Sequence, residues 1–169
     1  MKKVLFATLF VMGLSSLVGM KVQAQKIGYI SMDELIASMP EAKKADTTLE
    51  KYKEELGQAQ QQIVAELQQR QQAYVKDSAT MSQAKKDLET KAIQDLYNKY
   101  QSYGQDAQQE FNLKQQEVYS PIQKKAIDAI QTVAKANGYT YVIQKENLIV
   151  SPPSDDLLPL VKKQLGLKP

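Results

Sequence analysis

From Ala42 to Ile63 the apolar positions fall at alternating steps of three and four: Ala42, Ala45, Leu49, Tyr52, Leu56, Ala59 and Ile63. The mean step of about 3.5 keeps one seam of a helix turned toward a partner helix, so the spacing predicts a coiled-coil strand beginning near Glu41. Leu67 and Tyr74 prolong the seam after a four-residue step, the mark of a stutter. Eight of the fifteen residues from Gln58 to Gln72 are Gln, so the face opposite the seam is polar. The pattern breaks at Lys76-Asp77-Ser78-Ala79. Thr80 with Gln83 has the spacing of a capping box and predicts the start of a second long helix.

That second helix carries an apolar stripe from Met81 through Leu88, Tyr100, Tyr103, Phe111 and Ile122 to Ala136, with Lys114 the one interruption. Its mean step is about 3.67, the value for a straight or slightly right-handed pair. Asn137-Gly138 ends it with a standard C-terminal signal. A link this short makes the two helices antiparallel. With the apex near Ala79, Glu41 should lie opposite Glu117. Pro121 falls where the second helix outruns the first and is the candidate hinge between arm and body. About 35 residues per strand at about 1.5 Å each give an arm of roughly 50 Å.

The flanks change period. Lys26 to Ser31 reads as a strand with Ile27 and Tyr29 on one face and Ile30 on the other. Ser31 with Glu34 caps a short helix from Met32 to Met39, and Ser38 with Glu41 forms a second box around Pro40. Tyr139 to Gln144 is rich in aromatic and β-branched residues and reads as a strand. Lys145-Glu146-Asn147 is expected to turn it back into a return strand at Leu148-Ile149-Val150. Pro152-Pro153 stops that strand, and Ser154 or Asp156 caps a last helix with Leu157, Leu158, Val161 and Leu165 on its apolar side. The fold class is therefore α+β and mostly α: a long antiparallel coiled-coil hairpin arm projecting from a small β-rich body. The body collects residues 25–40 and 122–169. The arm is 41–121, with its apex near 76–82.

Composition narrows the chemistry. The 169 residues include no Cys and no His. That removes disulfides, thiolate chemistry, the common zinc sites and the usual general base. Lys2 and Lys3, the uncharged run Val4 to Met20, and Val22-Gln23-Ala24 have the layout of a secretory signal peptide over residues 1–24, with cleavage expected after Ala24. The segment holds three lysines and no acid, so the remainder carries 19 basic and 19 acidic residues. A neutral chain lacks the electrostatic footprint of a nucleic-acid binder. Asp155 and Asp156 are read as helix-start residues rather than paired catalytic carboxylates. No Gly-rich phosphate loop, nucleophile elbow or metal spacing occurs, so catalytic, cofactor and metal residues are all expected to be absent and the chain is not read as an enzyme.

The order strand, short helix, long hairpin, strand, strand, terminal helix resembles the Skp/OmpH family of periplasmic chaperones. The likeness rests on Lys26-Ile27-Gly28-Tyr29-Ile30 with Met32-Asp33-Glu34-Leu35, and on Tyr139-Thr140-Tyr141-Val142-Ile143 with Ser154-Asp155-Asp156-Leu157. It implies a homotrimer in the periplasm that holds unfolded outer-membrane β-barrel proteins between its arms without nucleotide hydrolysis. The outer-membrane assembly machinery and lipopolysaccharide are further partners it brings into view. Oligomerisation would cover Ile27, Tyr29, Ile30, Tyr141, Ile143 and Leu148, since two or three short strands cannot satisfy their own edges. Apolar residues off the seam, Val64, Ile93, Tyr97, Leu113 and Tyr119, are the client-binding candidates. The arm tip from Gln62 to Thr90 departs from the cationic arms of well-known members: four basic and four acidic residues cancel. The rival reading is a structural spacer or adaptor that binds one folded partner.

Overall fold

The computed structural model describes residues 25–168; the signal-peptide assignment lies outside them. Strand β1 is Ile27–Ile30, helix α1 Met32–Ser38, helix α2 Pro40–Asp77, helix α3 Gln83–Ala136, strand β2 Tyr141–Gln144 and helix α4 Leu158–Gln164. Helices α2 and α3 form the hairpin. At about 1.5 Å per residue their 38 and 54 residues span about 57 Å and 81 Å.

Local signals explain most element ends. Ser31 Oγ accepts from the Glu34 backbone N–H and caps α1. Glu34 completes no capping box: its carboxylate lies 3.8 Å from Lys162 Nζ on α4. Helix α2 starts at Pro40, one residue before the expected start near Glu41, and Ser38 does not cap it. Pro40 occupies its first turn, Met39 is the cap residue, and the Ser38 hydroxyl donates back to Leu35 O. At the apex Ser82, not Thr80, caps α3 by accepting from the Lys85 N–H, which leaves Met81 in the turn. Thr80 Oγ1 instead donates to Asp77 O at the end of α2. Gly138 (φ 71°) closes α3 in a Schellman arrangement, with Tyr139 N–H donating to Ala134 O.

The strand layout differs from expectation. β1 pairs in parallel with β2, Ile27 opposite Tyr141 and Ile30 opposite Gln144. On the other edge of β1, Tyr29 bridges Asp156, and Leu157 N–H donates to Tyr29 O. The return strand at Leu148–Val150 does not form. Lys145–Asn147 adopts a 3-10 turn, and no non-Gly residue among those described has the positive φ that a tight hairpin requires. β1 thus becomes the central strand, and Gly28, Tyr29 and Ile30 are all buried inside the chain. That corrects the assignment of Tyr29 and Ile30 to an oligomer face.

The core lies where α1, the base of α2, the last third of α3 and α4 meet. Leu35, Met39, Leu157 and Val161 are its largest fully buried side chains, packed with Ile30, Ala42, Ala45, Ile122, Ala126 and Val133. Small residues on facing turns let α2 and α3 approach closely here. Farther out the seam thins. Leu49 and Ile63 are the outermost buried residues of α2, and α3 has none before Ile122. Polar contacts then link the two helices. Glu41 meets Lys125, Asp46 meets Tyr119, Glu110 accepts from Tyr52, Leu56 O accepts from Tyr103, and Glu89 meets Arg70. Pairing follows the expected symmetry near Leu56. At the base it has slipped, so that Glu41 reaches residue 125 rather than 117. Cα–Cβ bonds tilt toward each helix's own N-terminus, so long side chains on antiparallel helices reach past one another and add to the offset.

Gly28 carries a sharp packing test. A Cβ there would lie 2.2 Å from Leu157 Cδ1 and 2.8 Å from the Tyr139 ring. Gly28→Ala should destabilise by about 1–3 kcal/mol through overpacking, and Leu35→Ala by about 2–5 kcal/mol through a cavity. Leu88→Ala, at an exposed site, should stay within about 0.5 kcal/mol in the same urea titration.

The Glu41 carboxyl is held below the usual range, first by its hydrogen bond from Lys125. A lowered carboxyl pKa adds stability that is present above the unfolded-state value of 4.5 and disappears as pH falls through the folded-state value. Both side chains are half-exposed, so the effect should be below about 1 kcal/mol. Lys125→Gln should therefore lower the thermal midpoint slightly at pH 7. The difference from the parent should vanish on acidification below the carboxylate range.

Candidate functional site

Among the described residues no group of His, Cys, Asp or Glu could hold a metal ion, and no helix is long and apolar enough to cross a membrane. The surfaces that stand out are the flanks of the arm and one open side of the body.

On the arm, Tyr97 and Leu113 are exposed, Leu113 at 59%, while Val64, Ile93 and Tyr119 are half-buried. These five do not form one wall. The Tyr119 hydroxyl is occupied by Asp46, whose hydrogen bond, followed by burial, pushes the phenol pKa up. Tyr52 is likewise raised, by burial first and then by the Glu110 charge. Two residues assigned to the seam stand outside it: Leu88 is 69% exposed and Tyr100 is 40% exposed. Val75, also at the tip, went unnoticed in the sequence and is 77% exposed. Seam periodicity overestimates burial in the outer half of the arm, where α3 has no buried residue.

The tip is electrically balanced by contact as well as by count. Arg70 lies 3.2 Å from Glu66 and 3.5 Å from Glu89. Near the middle of the arm, Gly57 and Gly104 line an open cleft of about 280 Å³ with Tyr103 and Phe111. Pro121 is accommodated inside α3. Ile122 beside it enters the core, and the contacts Tyr119–Asp46 and Lys125–Glu41 tie α3 to α2 on both sides of it.

On the body, Ile27 and Tyr141 sit opposite each other in the register and are about half exposed. Ile143 and Leu148 are half-buried. Beside them lies a cleft of about 490 Å³ lined by Ile127, Ile130, Val142 and Ile143. Ile149 and Val150, which find no strand partner, project into solvent. Ile127, Ile149 and Val150 were missed as surface residues. Ile127 had a legible signal: beyond Pro121 the helix carries a second apolar line, Ile127, Ile130 and Ala134, one residue out of phase with Ala126, Ala129 and Val133. The first line faces the core; the second borders the cleft, with Ile130 buried in the core as well. Glu146 anchors the 3-10 turn by accepting from the Ser31 hydroxyl, and that bond is the leading reason its carboxyl lies below the usual range.

Known proteins share this architecture. The family described as outer membrane protein (OmpH-like) matches residues 26–165. The chaperone protein Skp of Yersinia enterocolitica is 27% identical over 157 residues, covering 91% of this chain and 94% of that protein. A crystal structure from Caulobacter crescentus CB15, described as an OmpH-like outer membrane chaperone, superposes with a TM-score of 0.70 at 19% identity over 83% of each chain. That structural likeness bears on the fold, and the match across residues 26–165 reaches from β1 to the end of α4. That relative is a chaperone. With the hairpin, the parallel strand pair and the terminal helix all inside the matched span, the chain belongs to the OmpH-like outer membrane protein family of Skp-type chaperones.

Proposed function

We propose that this chain is an ATP-independent holdase of the periplasm. Secretion would follow cleavage of the signal peptide after Ala24. Three copies would join through their bodies, and the arms would enclose unfolded outer-membrane β-barrel proteins. The observation that carries this reading is the arm itself: a slender hairpin that leaves Leu88, Tyr97, Tyr100 and Leu113 in solvent instead of burying them. Scattered apolar contacts of this kind, each weak, suit a polypeptide without fixed shape. They slow its aggregation and let it go when a folded or membrane-inserted state is lower in free energy.

Trimerisation has its own support. A two-stranded sheet is marginal alone, and the body keeps Ile27, Tyr141, Ile149 and Val150 open beside an apolar cleft. Body association would cover them together with Ile143 and Leu148. The domain division follows: body from 25–40 and 122–169, arm from 41–121. Because tip charges cancel, capture of clients is taken to be apolar rather than steered by charge, and lipopolysaccharide has no cationic tip to meet.

Native mass spectrometry should find three chains alone and three chains plus one unfolded β-barrel protein after mixing. A monomer, or a trimer that fails to keep several different β-barrel polypeptides soluble, would favour a spacer. Replacing Tyr97 and Leu113 together by Glu should weaken client retention roughly tenfold without altering thermal stability by more than about 1 kcal/mol, since both sites are exposed. The affinity of the parent should change less than about threefold between low and physiological salt, because no net charge is neutralised on binding.

A further inference from the structure

A cut after Ala24 makes Gln25 the first residue of the secreted chain. In the fold Gln25 is exposed and stands just outside the body. The backbone bonding of the body begins one residue later: Thr140 N–H donates to Lys26 O at 2.7 Å, and β1 runs from Ile27. The Lys26 side chain is engaged as well. Its ammonium lies 3.9 Å from the centre of the Tyr139 ring and donates to Asn137 O at 3.2 Å. Lys26 is thus held at backbone and side chain, whereas Gln25 has open space around it.

A glutamine at a free N-terminus carries its own electrophile. The side-chain amide carbon Cδ can reach the α-nitrogen of the same residue and close a five-membered ring. While Ala24 is attached, that nitrogen is a peptide amide whose lone pair is delocalised into the carbonyl, so it does not attack. Cleavage turns it into an amine. An α-amine ordinarily titrates at about 7.7–8.0, well below a lysine, so near neutral pH an appreciable share is the nucleophilic free base. Amine and amide belong to one residue, which gives the reaction the advantage of an intramolecular encounter.

We infer that Gln25 closes into pyroglutamate once the signal peptide has been removed. The α-nitrogen attacks Cδ and forms a new N–Cδ bond. The Cδ–Nε2 bond breaks, and Nε2 leaves as ammonia with the proton given up by the α-nitrogen. One amide is exchanged for another, so the step consumes no oxidant and no second substrate. The inference rests on the proposed cut after Ala24.

The ring has two consequences for the body. It removes an α-ammonium one residue away from the Lys26 ammonium, and with it a like-charge neighbour of the group that binds Asn137 O and the Tyr139 ring. It also denies an aminopeptidase the free amine on which such enzymes act. Only Gln25 and Lys26 separate the new terminus from Ile27, so trimming would soon reach the strand on which the body closes.

The test uses the mature chain isolated from the periplasm of the cells that secrete it. Its intact mass should equal that of residues 25–169 less one ammonia, and fragmentation should place the loss on the first residue. Stepwise N-terminal degradation should give no sequence until a pyroglutamyl peptidase has acted, and should then begin at Lys26. The full mass of residues 25–169 with a readable Gln25 would overturn the ring and leave the cut after Ala24 standing. A chain beginning at any other residue would overturn both. Gln25→Ala should be cut at the same bond and keep its amine. An aminopeptidase should shorten Gln25→Ala and leave the parent's mass unchanged; equal trimming of the two would also overturn the ring.

Discussion

Everything in this chain depends on the packing that closes its two ends together around the root of the hairpin. Leu35 and Met39 from the first part of the chain meet Leu157 and Val161 from the last, and both sets rest on Ile122, Ala126 and Val133. The hairpin alone could not supply this. Its seam buries few residues, and isolated helices without tertiary support are marginal in water. The core fixes the first and last turns of the hairpin, and the rest of the arm inherits its direction from them. Ala42, Ala45, Ala126 and Ala129 matter because their small side chains set the separation of the helices at the base.

The same arrangement separates two jobs. Enclosed apolar surface is concentrated in the body, where it yields stability. Exposed apolar surface on the arm is dispersed over single residues such as Val75, Leu88, Tyr97 and Leu113. The tyrosine hydroxyls serve this division. Tyr52, Tyr103 and Tyr119 use them to bridge the helices near the base, holding the rod together without an enlarged apolar seam. Beyond them, Tyr97 and Tyr100 present rings to solvent.

Much of this could be read from residue order. The steps of three and four from Ala42 to Ile63, the Ser31 cap and the Asn137-Gly138 stop are local, and each element they predict is present. What could not be read was decided by distant partners. Glu34 fits a capping box but lies near Lys162 on a helix at the far end of the sequence. Leu148-Ile149-Val150 has strand composition, yet the 3-10 turn at Lys145–Asn147 does not fold it back onto β2. Tyr29 and Ile30 looked like half of an exposed strand and are interior because β1 has neighbours on both edges. Leu88 and Tyr100 kept the period of a buried stripe but are exposed, although α2 runs alongside them. Among the site residues, exposure at Tyr97 and Leu113 followed from their being off the stripe; Val64, Ile93 and Tyr119 share that property but are partly shielded.

The pairing of Ile27 with Tyr141 joins positions more than a hundred residues apart. Contacts near the apex can zip up early, but closing the body brings together segments of very high sequence separation, the slow kind of step. As the chain emerges from its N-terminus, β1 must wait with its edge groups unpaired until β2 and Leu157 arrive. A polypeptide cut short before α4 would carry a rod with no anchor, because Leu157, Leu158 and Val161 would be missing from the core at its base. Arrival of α4 thus acts as the gate to a closed body, because it is the element that locks the first strand in place.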